Sequence, residues 1–118
     1  MTLGYNKLMN QLFANIKEKS IAHIYRKGED IFFEGEVPKH IHLIVDGAVG
    51  AYTITRNGTK NIANIFGNNS VIPITWANNQ TDYAIFNYTA LSDVHVLKIT
   101  KDDFWRIINS STASKDIY

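Results

Sequence analysis

Two histidines one residue apart, His40 and His42, are the residues whose spacing is most specific to one chemistry. Side chains at positions i and i+2 of a β-strand point to the same face, so such a pair can present two imidazoles to one divalent metal ion. Asp46 has the same parity and could add a carboxylate ligand. A metal-dependent enzyme is therefore one hypothesis, although His95 is the only later histidine.

Other catalytic chemistry finds little support in the sequence. The chain has no cysteine, no G-x-S-x-G elbow and no glycine-rich phosphate loop ending in Lys-Ser or Lys-Thr. The paired acids Glu29-Asp30 and Asp102-Asp103 open a predicted strand and a predicted helix, where turn chemistry and the helix dipole explain them. We therefore expect no enzymatic activity and no cofactor.

Length and charge restrict the possible partners. With 118 residues the chain is long enough for one domain, residues 1–118, and its formal net charge is only +1. No cluster of lysine and arginine offers a footprint for DNA or an anionic membrane, and no apolar stretch approaches 18 residues. We expect a cytoplasmic protein that binds neither a membrane nor, through this segment, DNA.

The hydrophobic pattern divides the chain into a helix, a β-region and a second helix. Apolar residues recur at helical spacing over about residues 5–18, where Leu12 and Ile16 share a face. Short apolar runs separated by turn residues then extend over about residues 21–99 and predict antiparallel strands. Thr100 precedes a second amphipathic segment at about residues 101–109, with acids in its first turn.

Turn residues mark the corners of the β-region. Gly28, Gly35 and Gly47 stand where tight corners need positive φ or close backbone approach. Asn57-Gly58 lies between two apolar runs and predicts a hairpin with a two-residue type I′ turn, in which both residues have positive φ.

This order of elements resembles the sensor domain of the catabolite-activator and fumarate–nitrate-regulator (CRP/FNR) superfamily of bacterial transcription factors. The resemblance covers about residues 8–109. It implies a mainly β fold, a double-stranded β-helix (jelly roll, cyclic-nucleotide-binding-like) with an N-terminal and a C-terminal helix. It also implies a homodimer whose dimerisation helix and DNA-binding domain follow near Ser110. Because the chain ends at Tyr118, we expect DNA contact only through a C-terminal domain that is not present in it.

The resemblance also locates the nucleotide pocket of the family. Its Gly-Glu pair, which binds the ribose, falls on Pro73-Ile74, and its Arg-Ser pair, which binds the cyclic phosphate, falls near Ala84-Ile85. Proline has no N–H to donate, and the other three residues offer no charge and no hydroxyl. The chain has no arginine between Arg56 and Arg106 and no carboxylate between Asp46 and Asp82. We therefore expect the usual binding of cAMP to be lost.

Apolar and aromatic residues take the place of the phosphate contacts. By the same carry-over, the wall of the candidate effector pocket is formed by Phe32, Ala63, Asn64, Phe66, Val71, Pro73, Ile74, Trp76, Ala84 and Ile85. Two alternatives follow: the barrel fills its own cavity with side chains, or it holds an apolar or aromatic small-molecule effector.

The register implied by the family assigns Ile41, Leu43 and Val45 to the core. His40 and His42 then face solvent or a neighbouring element, and the simplest interpretation is two surface histidines without a metal. The alternative is a small metal-dependent cupin-like enzyme that uses them, but the second cupin motif would need a histidine where Asn78 stands. A third alternative is a stand-alone interaction module.

Overall fold

A computed structural model describes the backbone of residues 2–73 and 83–110 and the side chains of residues 11–73 and 83–109. The predicted helices and the mainly β composition are confirmed. In chain order the elements are α1 (Thr2–Lys19), β1 (Ile21–Tyr25), β2 (Asp30–Phe32), β3 (His40–Asp46), β4 (Val49–Ile54), β5 (Lys60–Phe66), β6 (Val71–Ile72), β7 (Asn87–Ala90), β8 (Val94–Thr100) and α2 (Lys101–Ser110). None of the helices in these ranges has the length and apolar character needed to span a bilayer.

The strands form two four-stranded antiparallel sheets. The first sheet has the order β1-β8-β3-β6 and the second β2-β7-β4-β5. Strands far apart in sequence, such as β1 and β8, are hydrogen-bonded neighbours, as the double-stranded β-helix prediction requires. The barrel interior between the sheets is formed by Ile31, Phe32, Ile44, Val49, Ala51, Phe66, Ile72, Ala84, Tyr88, Ala90, Val94 and Val96.

Two corners on either side of β2 are built in the same way. Gly28 and Gly35 have φ of +91° and +88°, a region that L side chains disfavour. In each turn the glutamate that follows the glycine, Glu29 or Glu36, accepts a hydrogen bond on Oε1 from the backbone N–H three residues earlier, at 2.7 and 2.8 Å. The glycine and the glutamate together fix the direction in which the chain leaves each corner.

The corner between β3 and β4 is the most crowded. Gly47 has a φ of +119°, and a Cβ at this position would lie 2.6 Å from the carbonyl oxygen of Asp93 and 2.9 Å from Cα of Val94. Glycine is therefore required both by the backbone conformation and by the close approach of a neighbouring strand.

The hairpin at Asn57-Gly58 lies between β4 and β5 as predicted, but its turn type differs. Gly58 has a φ of +82°, whereas Asn57 does not have positive φ, so the type I′ prediction is wrong. The N–H of Gly58 donates to the carbonyl of Thr55 at 2.9 Å. The N–H of Thr55 donates to the carbonyl of Thr59 at 3.0 Å. The loop thus has three residues and needs only one left-handed position, which the glycine supplies.

The two helices pack on the outer face of the first sheet. Ile16 of α1 and Phe104 of α2 are buried in one cluster with Ile41 and Ile99 of the sheet. At the start of α2, Oγ1 of Thr100 accepts a hydrogen bond from a backbone N–H at 3.2 Å, which confirms the predicted cap. The second sheet therefore covers the inner face of the first sheet, and the helices cover part of its outer face.

The register of β3 corrects the predicted one. Ile41 and Leu43 belong to the cluster with the helices, while Ile44 belongs to the barrel interior. A bulge lies between Ile44 and Asp46, and Val45 is 48% exposed. The apolar residues of β3 thus serve two cores, and the prediction that Val45 faces the core is wrong.

Candidate functional site

The structure brings some of the predicted pocket residues together in the barrel interior. Phe32, Phe66 and Ala84 are buried in the interior cluster, and Pro73 is fully buried. Ile85 is half-buried. Ile74 and Trp76 lie outside the described residues.

Three predicted wall residues lie elsewhere. Val71 packs against the helix side of the first sheet, and its neighbour Ile72 takes the interior position, so the assignment of Val71 to the interior wall is wrong. Ala63 and Asn64 are exposed on β5, where only Phe66 is buried. Within the described residues, β5 is an edge strand of the second sheet, and no described strand pairs with its free side.

A column of aromatic rings runs through the interior. Tyr88 is fully buried, and its ring meets Phe32 edge-on at 5.7 Å and stacks with Phe66 at 6.1 Å between centroids. Phe32 in turn meets the ring of His42 edge-on at 4.8 Å. These separations are those of favourable aromatic pairs, so side chains from both sheets fill this part of the interior.

His42 joins this column, and the prediction that it is a surface residue is wrong. Its side chain is 2% exposed, and its Nε2 forms a 2.8 Å hydrogen bond with the hydroxyl of Tyr25. Burial, with a smaller contribution from the charge of Lys98, lowers the pKa of His42 to about 3, although the backbone of His40 partly opposes the shift. The imidazole is therefore neutral at physiological pH.

The structure does not bring the three candidate metal ligands of β3 together. Asp46 pairs with His95 on the outer face of the first sheet, because the bulge in β3 reverses the parity beyond Ile44. The side chain of His42 points into the barrel, where its Nε2 is hydrogen-bonded to the hydroxyl of Tyr25. Over residues 11–73 and 83–109, no group of three or more histidine, aspartate or glutamate side chains could hold a metal ion.

Sequence reasoning missed the pair of Tyr25 and His42. The run from Ile41 to Val45 is apolar apart from His42, which is typical of a strand that is buried on both faces. That run was the available indication that the histidine is enclosed.

Comparison with known proteins decides the family. The sequence pattern of the cyclic nucleotide-binding domain matches residues 22–111, which is most of the chain. This protein belongs to the cyclic nucleotide-binding domain family. No curated protein sequence matches it.

Solved structures share the fold of this cyclic nucleotide-binding domain. The sensor domain of the regulator DNR from Pseudomonas aeruginosa superposes with a TM-score of 0.76 at 15% identity, over 96% of this chain and 82% of that chain. A transcriptional regulator from Thermotoga maritima gives 0.77 at 13% identity, over 89% and 81%. The catabolite activator protein of Thermus thermophilus gives 0.71 at 15% identity, over 84% of this chain and 46% of that one. The domain thus spans about half the length of the catabolite activator.

The interior of this cyclic nucleotide-binding domain contains few polar groups. Among the described residues, the buried polar side chains are His42, Asn87 and Thr89, and no lysine, arginine or carboxylate is buried. Oδ1 of Asn87 accepts from the backbone N–H of Glu34 at 2.9 Å, and Oγ1 of Thr89 donates to the carbonyl of Glu29 at 3.2 Å. These two side chains therefore hold the corners beside β2.

Ala84, near which the resemblance to the CRP/FNR sensor domain implies the family's phosphate-binding pair, has no free backbone group. Its N–H donates to the carbonyl of Glu36 at 2.8 Å, and its carbonyl accepts from the N–H of Gly35 at 2.7 Å. The side chain is a fully buried methyl group. This position ties the corner at Gly35 to the barrel and offers an anion neither a charge nor a hydrogen-bond donor.

Proposed function

We propose that this domain is the non-enzymatic regulatory sensor of a CRP/FNR-type transcription factor and that it does not bind cyclic nucleotides through the family's phosphate contacts. The observation that carries the proposal is the uncharged interior of the part of the barrel that the structure describes: it has a buried methyl group at Ala84, and neutral His42 is its only ionisable side chain besides tyrosine. The barrel either has no ligand or takes an apolar or aromatic effector.

The energetic argument rests on the charge of a cyclic phosphate. A buried charge left without its partner is destabilised by about 3–5 kcal/mol. At 1.4 kcal/mol per factor of ten, this corresponds to roughly a hundred- to several-thousand-fold weaker binding. Such a loss removes binding in the micromolar range.

The aromatic column supports the two remaining alternatives to different extents. Phe32, Tyr88 and Phe66 contact one another across the interior, which favours a barrel that fills itself. Of the predicted wall residues, Pro73 is fully buried and Ile85 is half-buried, and both are apolar. An apolar ring system would suit that environment better than an anion.

The output of the sensor is inferred from proteins with the same fold. Several of these are transcriptional regulators, and one from Xanthomonas campestris is described as c-di-GMP responsive. We infer that this domain acts in the cytoplasm as part of a homodimer and reaches DNA through a C-terminal domain. An effector could then act only by contacting two arrangements of the dimer differently.

Thermal unfolding with a ligand panel tests the proposal. Any ligand present at 100 times its dissociation constant stabilises the native state by about 2.7 kcal/mol. We expect no stabilisation by millimolar cAMP or cGMP. Stabilisation by aromatic acids would favour the effector alternative, no response to any compound would favour the filled barrel, and a clear response to either nucleotide would contradict the proposal.

A further inference from the structure

The helices cover only part of the outer face of the first sheet. Ile41 pairs with Ile99 across β3 and β8, and both are buried beneath Ile16 and Phe104 of the helices. Farther along the same strands, towards the bulge in β3, the helical cover ends. The outer face there remains apolar, although no described element lies over it.

A groove of about 680 Å³ extends from the edge of the helical cover over this part. The register aligns Ala22, Leu97 and Leu43 in one row across three strands, so these side chains share the outer face. Ile24 and Val45 extend the apolar surface and are 43% and 48% exposed. Phe13 of α1 lines one side of the groove, and Asn69, from the turn before β6, also lines it.

The size and chemistry of the groove suit a small flexible ligand. Its volume falls within the range of about 300–1,000 Å³ that small-molecule sites occupy. The floor consists mainly of aliphatic side chains, which contact an alkyl chain without imposing the geometry that an aromatic ring requires. Because the floor is part of the sheet, its side chains are already held in place, and a ligand would not lose binding free energy by ordering them.

Charge selects the headgroup and its place in the groove. The lining includes one lysine, Lys17, together with His23 and His95, and no aspartate or glutamate among the described residues. Asp46 pairs with His95 in the ladder and disfavours an anion beside that histidine. The single lysine matches a ligand with a single negative charge, whereas a polyanion would leave its remaining charges uncompensated.

We propose that this groove binds a free aliphatic monocarboxylate, such as a medium-chain fatty acid. The alkyl chain lies on the floor formed by Ile24, Val45 and Leu97, and the carboxylate lies at the ammonium group of Lys17. This site is on the opposite face of the sheet from the barrel interior.

Binding to the 118-residue chain tests the proposal with three probes that share an alkyl chain, used below the concentrations at which they form micelles. The probes are decanoate, decanol and decyltrimethylammonium, and their affinities come from competition with an environment-sensitive apolar fluorophore. We expect saturable binding in the order decanoate, decanol, decyltrimethylammonium. A lack of saturable decanoate binding, or tighter binding of the cation, would overturn the proposal.

Substitutions then separate the floor from the headgroup contact. Val45→Asp should weaken decanoate and decanol at least about tenfold, since it puts a carboxylate on the apolar floor. Lys17→Gln should weaken decanoate about two- to fivefold and leave decanol unchanged, which is the range of an exposed ion pair.

Matched controls lie outside the groove. Ile62 is 51% exposed on the second sheet, so Ile62→Asp adds the same charge at a similarly exposed apolar position. Lys39→Gln removes a distant exposed cation. The proposal fails if Ile62→Asp weakens decanoate as much as Val45→Asp does, or if Lys17→Gln and Lys39→Gln have equal effects. Because Lys17 is exposed at the surface, its variant retains the fold and keeps the test decisive.

Discussion

The corners of the barrel and its interior wall differ in how closely they follow the family pattern. At the corners, Gly28, Gly35 and Gly47 all take the positive φ that the pattern implies. At the wall, the positions where the resemblance puts the family's ribose and phosphate contacts carry a buried proline and a buried alanine. The corners depend on backbone geometry that any member of the fold needs, whereas the wall depends on the ligand. A domain can therefore keep the fold while it changes or loses its effector.

The interior should be the more sensitive of the two regions to loss of a side chain. Phe32 is buried against His42 and Tyr88, and Phe32→Ala should lower the free energy of unfolding by about 3–5 kcal/mol. The neighbouring Phe33 is 57% exposed, so Phe33→Ala is a matched control with an expected effect below about 1 kcal/mol. Denaturant unfolding measures both, and equal losses would show that the ring of Phe32 is not packed in the interior.

Substitution of the corner glycines should destabilise the fold more at a crowded position than at an open one. Gly47→Ala combines a strained φ with a clash against the backbone of Asp93, and it should destabilise the fold by about 3 kcal/mol. Gly35→Ala meets no atom within 4 Å and should lose only about 1–2 kcal/mol, from the left-handed conformation alone. Unfolding midpoints in urea give the order, and a smaller effect at Gly47 would contradict the close approach at this corner.

The buried histidine predicts how stability depends on pH. His42 has a pKa of about 3 in the folded chain, against 6.5 for the unfolded chain. As the pH falls below 6.5 the unfolded state takes up this proton and the folded state does not, so stability decreases. Between pH 7 and pH 5 the histidine should account for about 2 kcal/mol of this decrease.

The variant His42→Gln isolates this contribution. It retains a polar group beside Tyr25 but cannot titrate, so its stability should decrease less than that of the wild type over the same pH range. Urea unfolding at pH 7, 6 and 5 measures the difference between the two chains. Parallel pH profiles would mean that His42 is not held neutral by burial.

The smallest expected effect lies where the barrel meets α2. Thr100→Ala removes the oxygen that accepts a hydrogen bond from the N–H of Asp103 and should destabilise the fold by about 1 kcal/mol. Thr100→Ser keeps this oxygen and should lose less. Thermal unfolding measures the stability of both variants. Equal losses would contradict the assignment of Thr100 as the cap of α2.

The sequence was sufficient to predict the helices and the corners, because these features depend on local patterns, whereas the double-stranded β-helix was implied by the resemblance to the CRP/FNR sensor domain. Gly28, Gly35 and the capping residue Thr100 each determine the backbone conformation within a few residues of their own position in the chain. The position of the hairpin was predicted for the same reason. Its turn type was not, because Asn57-Gly58 is compatible with both a two-residue and a three-residue loop.

The faces of β3 could not be predicted, for a physical reason. A strand buried on both sides has no alternation of apolar and polar residues from which to assign a face. The bulge after Ile44 then changes the parity of Asp46, and no residue type marks it. The prediction of the candidate site was therefore right only in part. It included Phe32, Phe66 and Ala84, which line the interior, but it placed His42 at the surface and Val71 in the interior wall.

The equilibrium affinity for cAMP tests the central claim most directly. Equilibrium dialysis of the 118-residue chain against radiolabelled cAMP gives a dissociation constant without relying on a change in stability or fluorescence. The uncharged wall around Ala84 and Pro73 predicts no saturable binding up to 1 mM cAMP, which corresponds to a binding free energy weaker than about −4 kcal/mol. Saturable binding at micromolar concentration would contradict the account, because it would require a contact to the phosphate that neither the methyl group of Ala84 nor Pro73 can make.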